Sequence, residues 1–159
     1  MRLRAAYISK IAAYITTKAT SKPTPKQSKA PYVIAVVGSD AFADAIIKLL
    51  PGKAINNRKV KVVVLDPAIA ATTTKHQHQL LYVATSLNAT VVARIVASHA
   101  KLATPLMSCR AAFATKGGGV QLFIKNNKVK FEVNQNALKV QGMKVSPQLL
   151  KLSTKGPQQ

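Results

Sequence analysis

Strand-like and helix-like stretches alternate through the middle of this 159-residue chain, and that alternation predicts an α/β fold. The expected architecture is a mostly parallel sheet with helices on both faces, extended by a C-terminal antiparallel β-hairpin. Three observations carry it. The run YVIAVVG (32–38) is continuous and β-branched, as a strand buried on both faces is. Capped helical patterns follow such runs, as crossover connections require. Near the end, two alternating runs flank Asn126-Asn127, a pair suited to a two-residue turn.

The elements follow in order. MRLRAAYISKIAAYITTK (1–18) places Leu3, Tyr7, Ile11, Tyr14 and Ile15 on one helical face, so it reads as an amphipathic first helix. Residues 19–31 hold three prolines, two serines and three lysines and read as loop. After the first core strand, Ser39 or Asp40 is placed to cap SDAFADAIIKLL, and Pro51-Gly52 ends that helix. KVKVVVL (59–65) and QLLYVAT (79–85) are further strands. Asn88 caps ATVVARIVASHA, and TPLMSC (104–109) is a short fourth strand. In the hairpin, closure at Asn126-Asn127 pairs Ile124 with Val129, Leu122 with Phe131 and Val120 with Val133. The opposite face then pairs Phe123 with Lys130 and Gln121 with Glu132. Asn134 or Asn136 caps a short helix ended by Gly142. Ser146, with Pro147 at the first helical position, opens the last one. One domain spans 1–153, and residues 154–159 are expected to be a flexible tail.

Charge sets this chain apart. It has 24 lysines and arginines against four acids, a formal net charge of +20, with 48% apolar residues. An apolar content that high supports a folded core and excludes a disordered polybasic tail. The basic residues are spread rather than clustered: seven in 1–30, seven in 31–100 and ten in 101–159. With four Tyr, four Phe and no Trp, no stacking platform for single-stranded nucleic acid is visible. Two meanings of the charge stay open, a surface adapted to its compartment and a surface that binds polyanions such as nucleic acid or lipopolysaccharide.

Few residues could support chemistry. Asp40 and Asp44 read as an N-cap and a first-turn charge. His76 and His78 in KHQHQ would point the same way if extended, and two imidazoles can anchor Zn²⁺ or Cu²⁺. No nearby carboxylate or thiol completes a ligand set, so they read as a loop or strand-edge pair. His99 at a helix end complements the dipole there. Cys109 has no partner for an internal disulfide and reads as a small buried apolar residue. KGGGV leads into a hairpin rather than a helix, unlike a phosphate-binding loop. The only glutamate, Glu132, sits between Phe131 and Val133 and reads as a charge on the hairpin's outer face. No catalytic set and no cofactor is expected.

The C-terminal third carries a resemblance. A glycine pair, a hairpin, FEVN, a short helix ending in Gly, then SPQLLKL is similar to the close of the YfiR-like family of bacterial periplasmic proteins. The matching positions are Gly118, Gly119, Phe131, Glu132, Asn134, Gly142, Ser146, Gln148, Leu149, Leu150, Lys151 and Leu152. RAAYISKIAAYI, YVIAVVGSDAFADAI and LLYVATSLNATVVARIV resemble the family's earlier elements in order, so the similarity runs over residues 4–153. Members often close the first helix with Trp-Pro and carry cysteine pairs. This chain has neither, which leaves redox control through Cys109 without support.

The resemblance implies regulation rather than catalysis. The expected function is a non-enzymatic periplasmic domain acting on the periplasmic sensor region of a membrane diguanylate cyclase or sensor kinase, and so on cyclic-di-GMP and biofilm control. A mature chain would then begin near Arg2, after removal of a signal peptide. The motif residues are expected to be structural, joining hairpin to final helix. Partner-binding residues and a homodimer stay open.

Overall fold

The structure, a computed structural model, describes residues 2–17, 30–72 and 78–156. Strands and helices alternate, and seven strands form one mixed sheet. Its elements are α1 (Arg2–Ala13), β1 (Ile15–Thr17), β2 (Tyr32–Val37), α2 (Ala41–Leu49), β3 (Ala54–Ile55), β4 (Arg58–Leu65), α3 (Pro67–Thr72) and β5 (Leu80–Val83). They continue with α4 (Ala89–His99), β6 (Leu106–Ser108), β7 (Val120–Lys125), β8 (Lys128–Val133), α5 (Gln135–Val140), β9 (Met143–Val145) and α6 (Pro147–Leu152).

The sheet order is β3-β4-β2-β5-β6-β7-β8, and a separate two-stranded ribbon joins β1 to β9. From β4 through β7 the neighbours run parallel. The first and last pairs, β3 with β4 and β7 with β8, are antiparallel. Both antiparallel pairs turn on an Asn-Asn dipeptide with positive φ, Asn56-Asn57 at 51° and 64° and Asn126-Asn127 at 54° and 60°. That left-handed geometry is what a type I′ turn needs. At the second turn Val120 pairs with Val133, Gln121 with Glu132, Leu122 with Phe131 and Ile124 with Val129.

Strand residues sort by parity into two apolar clusters, as the alternation of side chains requires. Ile34, Val36, Leu80, Tyr82, Met107 and Leu122 pack with Ile8, Ile11, Phe42 and Ile46. Ala35, Val37, Leu81, Val83 and Leu106 pack with Ala70, Val92, Ile95 and Phe113.

Four expectations change. The first helix ends at Ala13. Ile15, placed above on a helical face, is a strand residue paired with Val145, and the buried face of α1 comes from Ile8, Ile11 and Ala12. The side chain of Leu3 lies outside the described residues, as does most of the 19–31 loop. Two β-branched threonines after Ile15 favour the extended form, and β9 supplies the partner. Second, the hairpin's other face is covered rather than outward. Gln121 is fully buried and Phe123 8% exposed, while Ile124, expected inside, is 51% exposed. Third and fourth, His99 and Cys109 occupy settings different from those expected, described below.

Candidate functional site

Parallel α/β sheets bring their loops together at the carboxyl ends of the strands, most openly where the chain's direction of winding reverses. Here β2 is the switch: the chain leaves it for β4 on one side and then returns to β5 on the other. The loops after β2, β5 and β6 therefore meet, and they bring Asp40, Tyr82, Cys109 and Arg110 together.

Asp40 is the N-cap of α2, its Oδ1 accepting from the Ala43 N–H at 2.8 Å. Oδ2 accepts from the Thr85 N–H at 2.9 Å, after β5. The Tyr82 hydroxyl sits 3.1 and 3.0 Å from the two carboxylate oxygens and 3.2 Å from Cys109 Sγ. Cys109 Sγ is 3.5 Å from Asp40 Oδ2. One carboxylate thus ties together three loop segments. Alongside, the Ser39 N–H donates to Ser86 Oγ at 2.8 Å. Gly38 permits that approach: its φ is +83°, and a Cβ there would lie 2.9 Å from Ser86 Oγ. Arg110 Nη1 donates to the carbonyls of Leu87 at 2.6 Å and Thr85 at 3.3 Å.

Electrostatics make this cluster chemically quiet. Burial raises the Tyr82 hydroxyl far above its ordinary range, and Cys109 and Asp40 beside it add to the rise. Burial also pushes the Cys109 thiol up to about 11. Both stay protonated at neutral pH, and a thiol is a nucleophile only as thiolate. Cys109 is half-buried and hydrogen-bonded rather than the buried apolar residue expected, and the burial it has keeps it a thiol.

The family-like motif assembles elsewhere, at the base of the hairpin. Asn134 caps α5, its Oδ1 accepting from the Ala137 N–H at 3.0 Å. Its Nδ2 donates to the Ala114 carbonyl at 2.5 Å and its backbone N–H to the Gly119 carbonyl at 2.8 Å. Gly118 lies against the ring of Phe113, and a Cβ on Gly119 would meet Leu138 Cδ2 at 2.8 Å. Ser146 caps α6, accepting from the Gln148 N–H at 3.3 Å, and its own N–H donates to the Tyr14 carbonyl. Phe131 and Leu149 are buried, Leu150 is half-buried and Gln148 is exposed. Gly142, with φ +78°, follows α5. Glu132 Oε1 accepts from the Gly156 N–H at 2.8 Å. This anchors the hairpin's one acid to a backbone amide beyond the last helix.

Gln141, which no sequence signal singled out, is 8% exposed. Its Nε2 lies 2.8, 3.0 and 2.8 Å from the carbonyls of His99, Leu102 and Thr104. It clamps the turn after α4, whose carbonyls lack helical partners. His78 and His99 are both buried, at 3% and 0% exposure, with ring centroids 5.6 Å apart. His99 Nδ1 lies 2.9 Å from the Ile95 carbonyl. The Ser98 hydroxyl lies at the same 2.9 Å, so Nδ1 either donates to the carbonyl or accepts from the hydroxyl. Burial lowers the His99 pKa from 6.5. His99 is thus a neutral core group rather than a cation at the helix end. His76 lies outside the described residues, and among those described no three His, Cys, Asp or Glu gather as metal ligands. An open groove of about 300 Å³ lies between α4 and the 110–116 loop, floored by Val92, Val96 and Phe113 and edged by Arg110 and Lys116.

Among the described residues, no helix is long and apolar enough to cross a membrane. No curated protein matches the chain. A family model described as YfiR/HmsC-like matches residues 1–154. That is nearly the whole sequence, and the chain belongs to the YfiR/HmsC-like family.

Proposed function

We propose that this protein is a non-enzymatic regulatory domain of the bacterial periplasm that binds the periplasmic sensor region of a membrane signalling protein, in the first place a diguanylate cyclase. The carrying observation is the family match across residues 1–154. The geometry is consistent with it. The best-connected polar cluster, Asp40–Tyr82–Cys109, holds two groups whose protons are retained at neutral pH and a carboxylate held by backbone amides. Such a cluster fixes loops and offers neither general base nor nucleophile. The motif at the hairpin base is read the same way, as a bolt between hairpin, α5 and α6.

The test is direct binding. The cyclase's isolated periplasmic region, immobilised and titrated with this chain, is expected to bind saturably at high ionic strength. No saturable binding to cyclase or sensor-kinase ectodomains would reject the proposal.

A second reading rests on how the few acids are used. Asp40, Asp66 and Glu132 all accept from backbone N–H groups. Arg58 and Arg110 in turn donate to backbone carbonyls. Among the described residues those acids serve the backbone rather than the lysines, so ion pairs there do little to offset the chain's net charge of +20. A polyanion would meet that charge, and its binding would weaken steeply as salt rises. Salt dependence therefore separates the two readings.

A further inference from the structure

The groove between α4 and the 110–116 loop is used neither by the Asp40 hydrogen bonds nor by the hairpin base. It holds about 300 Å³, the lower end of the ~300–1,000 Å³ that small-molecule sites span. Its lining is one-sided. Ala89, Val92, Ala93, Val96, Ala111 and Phe113 form it, and among the described residues its only polar side chains are Arg110 and Lys116. No neutral hydrogen-bonding side chain is there, so a sugar or a nucleobase would lose water without gaining side-chain partners. None of the four acids, Asp40, Asp44, Asp66 and Glu132, lines it either. An apolar floor edged by cations without a counter-charge is complementary to a ligand with an alkyl body and an anionic head.

The two cations differ. Arg110 is fastened beside the start of α4, where Nη1 donates to the Leu87 and Thr85 carbonyls. Those bonds leave the Nε–Nη2 edge of the guanidinium without an acceptor among the described residues. An edge of two parallel N–H groups is what grips a carboxylate at both oxygens. The positive end of the α4 dipole adds to the potential there. Lys116 stands at the other end and is exposed. Gly117 after it lies against Val96, so that an added Cβ would be 3.1 Å from Val96 Cγ1. From Ala89 to Val96 the helix rises about 10 Å. Val92 and Phe113, 8% and 2% exposed, floor the stretch between.

We propose that this groove binds one free medium-chain fatty carboxylate, its head on Arg110 and its chain along Val92, Phe113 and Val96. The guanidinium holds the head by charge and fork geometry, and the floor holds the chain by removing it from water. A groove this small takes one chain, so a two-chain membrane lipid does not fit it. An acidic peptide would bring backbone amides that no side chain of the groove satisfies.

The site is independent of the regulatory reading and is tested on the purified chain alone, by calorimetry with decanoate below its micelle concentration. One decanoate should bind per chain. Decanol keeps the alkyl chain and lacks the charge, and it should bind at least about tenfold more weakly. Arg110→Gln should weaken decanoate as much, a loss of the size of one charge-assisted hydrogen-bonded pair. Arg110 also ties the loop, so a second variant spares it. Ala93→Glu sets an acid at an exposed lining position of α4 and should abolish binding with unchanged thermal stability, since glutamate is a good helix former. Lys61→Gln, an exposed cation on the distant strand β4, should change nothing. Many decanoates per chain, equal affinity for decanoate and decanol, indifference to Ala93→Glu, or an equal loss in Lys61→Gln would each overturn the proposal. So would binding confined to phosphatidylglycerol vesicles, with free decanoate left unbound.

Discussion

Asp40 and Glu132 are both acids set among apolar strand ends, one in the parallel half of the sheet and one in the antiparallel half, and the two are used very differently. Asp40 gathers two backbone N–H groups and the Tyr82 hydroxyl, from the first turn of α2 and from β5 with the loop after it, with the Cys109 thiol alongside. Glu132 accepts from one backbone N–H, that of Gly156. In a chain with four acids both are kept for the backbone. Their weight differs with the number of donors each would leave stranded. An unpaired buried donor costs more than the hydrogen bond itself contributes.

The comparison can be broken at its strong end first. Asp40→Ala removes a helix cap and the acceptor of the Thr85 N–H, and leaves the buried Tyr82 hydroxyl only the Cys109 sulfur. The expected loss is about 3 kcal/mol, combining cap and desolvation terms, measured by urea unfolding. Asp40→Asn keeps the cap and should recover about half. A loss below about 1 kcal/mol for the alanine variant, the range of an ordinary cap, would show that the three loops are held by something else. The hairpin base comes next. Asn134→Ala removes the α5 cap and the bond to the Ala114 carbonyl, for an expected loss of about 2 kcal/mol by the same method.

These strong and weak anchors were not equally legible in the sequence. The parallel strands showed as β-branched runs, and Asp40, Asn88 and Ser146 as caps, because an N-cap bonds within three residues of itself. Tyr82 and Cys109 did not show at all. They lie 42 and 69 positions from Asp40, and no local pattern reports a contact that the sheet order creates. Asn126-Asn127 was readable because alternating runs flank it. Asn56-Asn57 makes the same turn but opens onto a two-residue strand, too short for a period. The β1–β9 ribbon was hidden for a related reason: three residues on each side carry no pattern, and their pairing joins the two ends of the chain. Gln141 looked like a helix-end polar residue, since only the folded turn after α4 supplies its three carbonyls.

A titration sharpens the comparison from a different side. His99, buried and neutral, has a pKa lowered by burial from 6.5. A folded-state value below the unfolded one means that the unfolded chain binds the proton first as pH falls. The stability is thus whole above the unfolded value and declines below it, by at most about 1.4 kcal/mol per pH unit. Denaturation midpoints measured from pH 7.5 to 5 should fall, and His99→Gln should flatten that fall. A profile that rises toward pH 5 would contradict the neutral assignment.

The smallest effect belongs to Glu132→Gln. The amide oxygen can still accept from the Gly156 N–H, so less than about 1 kcal/mol should be lost. Unchanged stability together with lost binding to a signalling ectodomain would make Glu132 a contact residue rather than an anchor.

The regulatory claim itself is most directly tested in the cell that makes this protein. Cyclic-di-GMP would be measured with the gene intact, deleted, and restored either with or without export to the periplasm. The account predicts a rise on deletion that only the exported form reverses. A level that does not change on deletion, or that the unexported chain restores equally well, would contradict it.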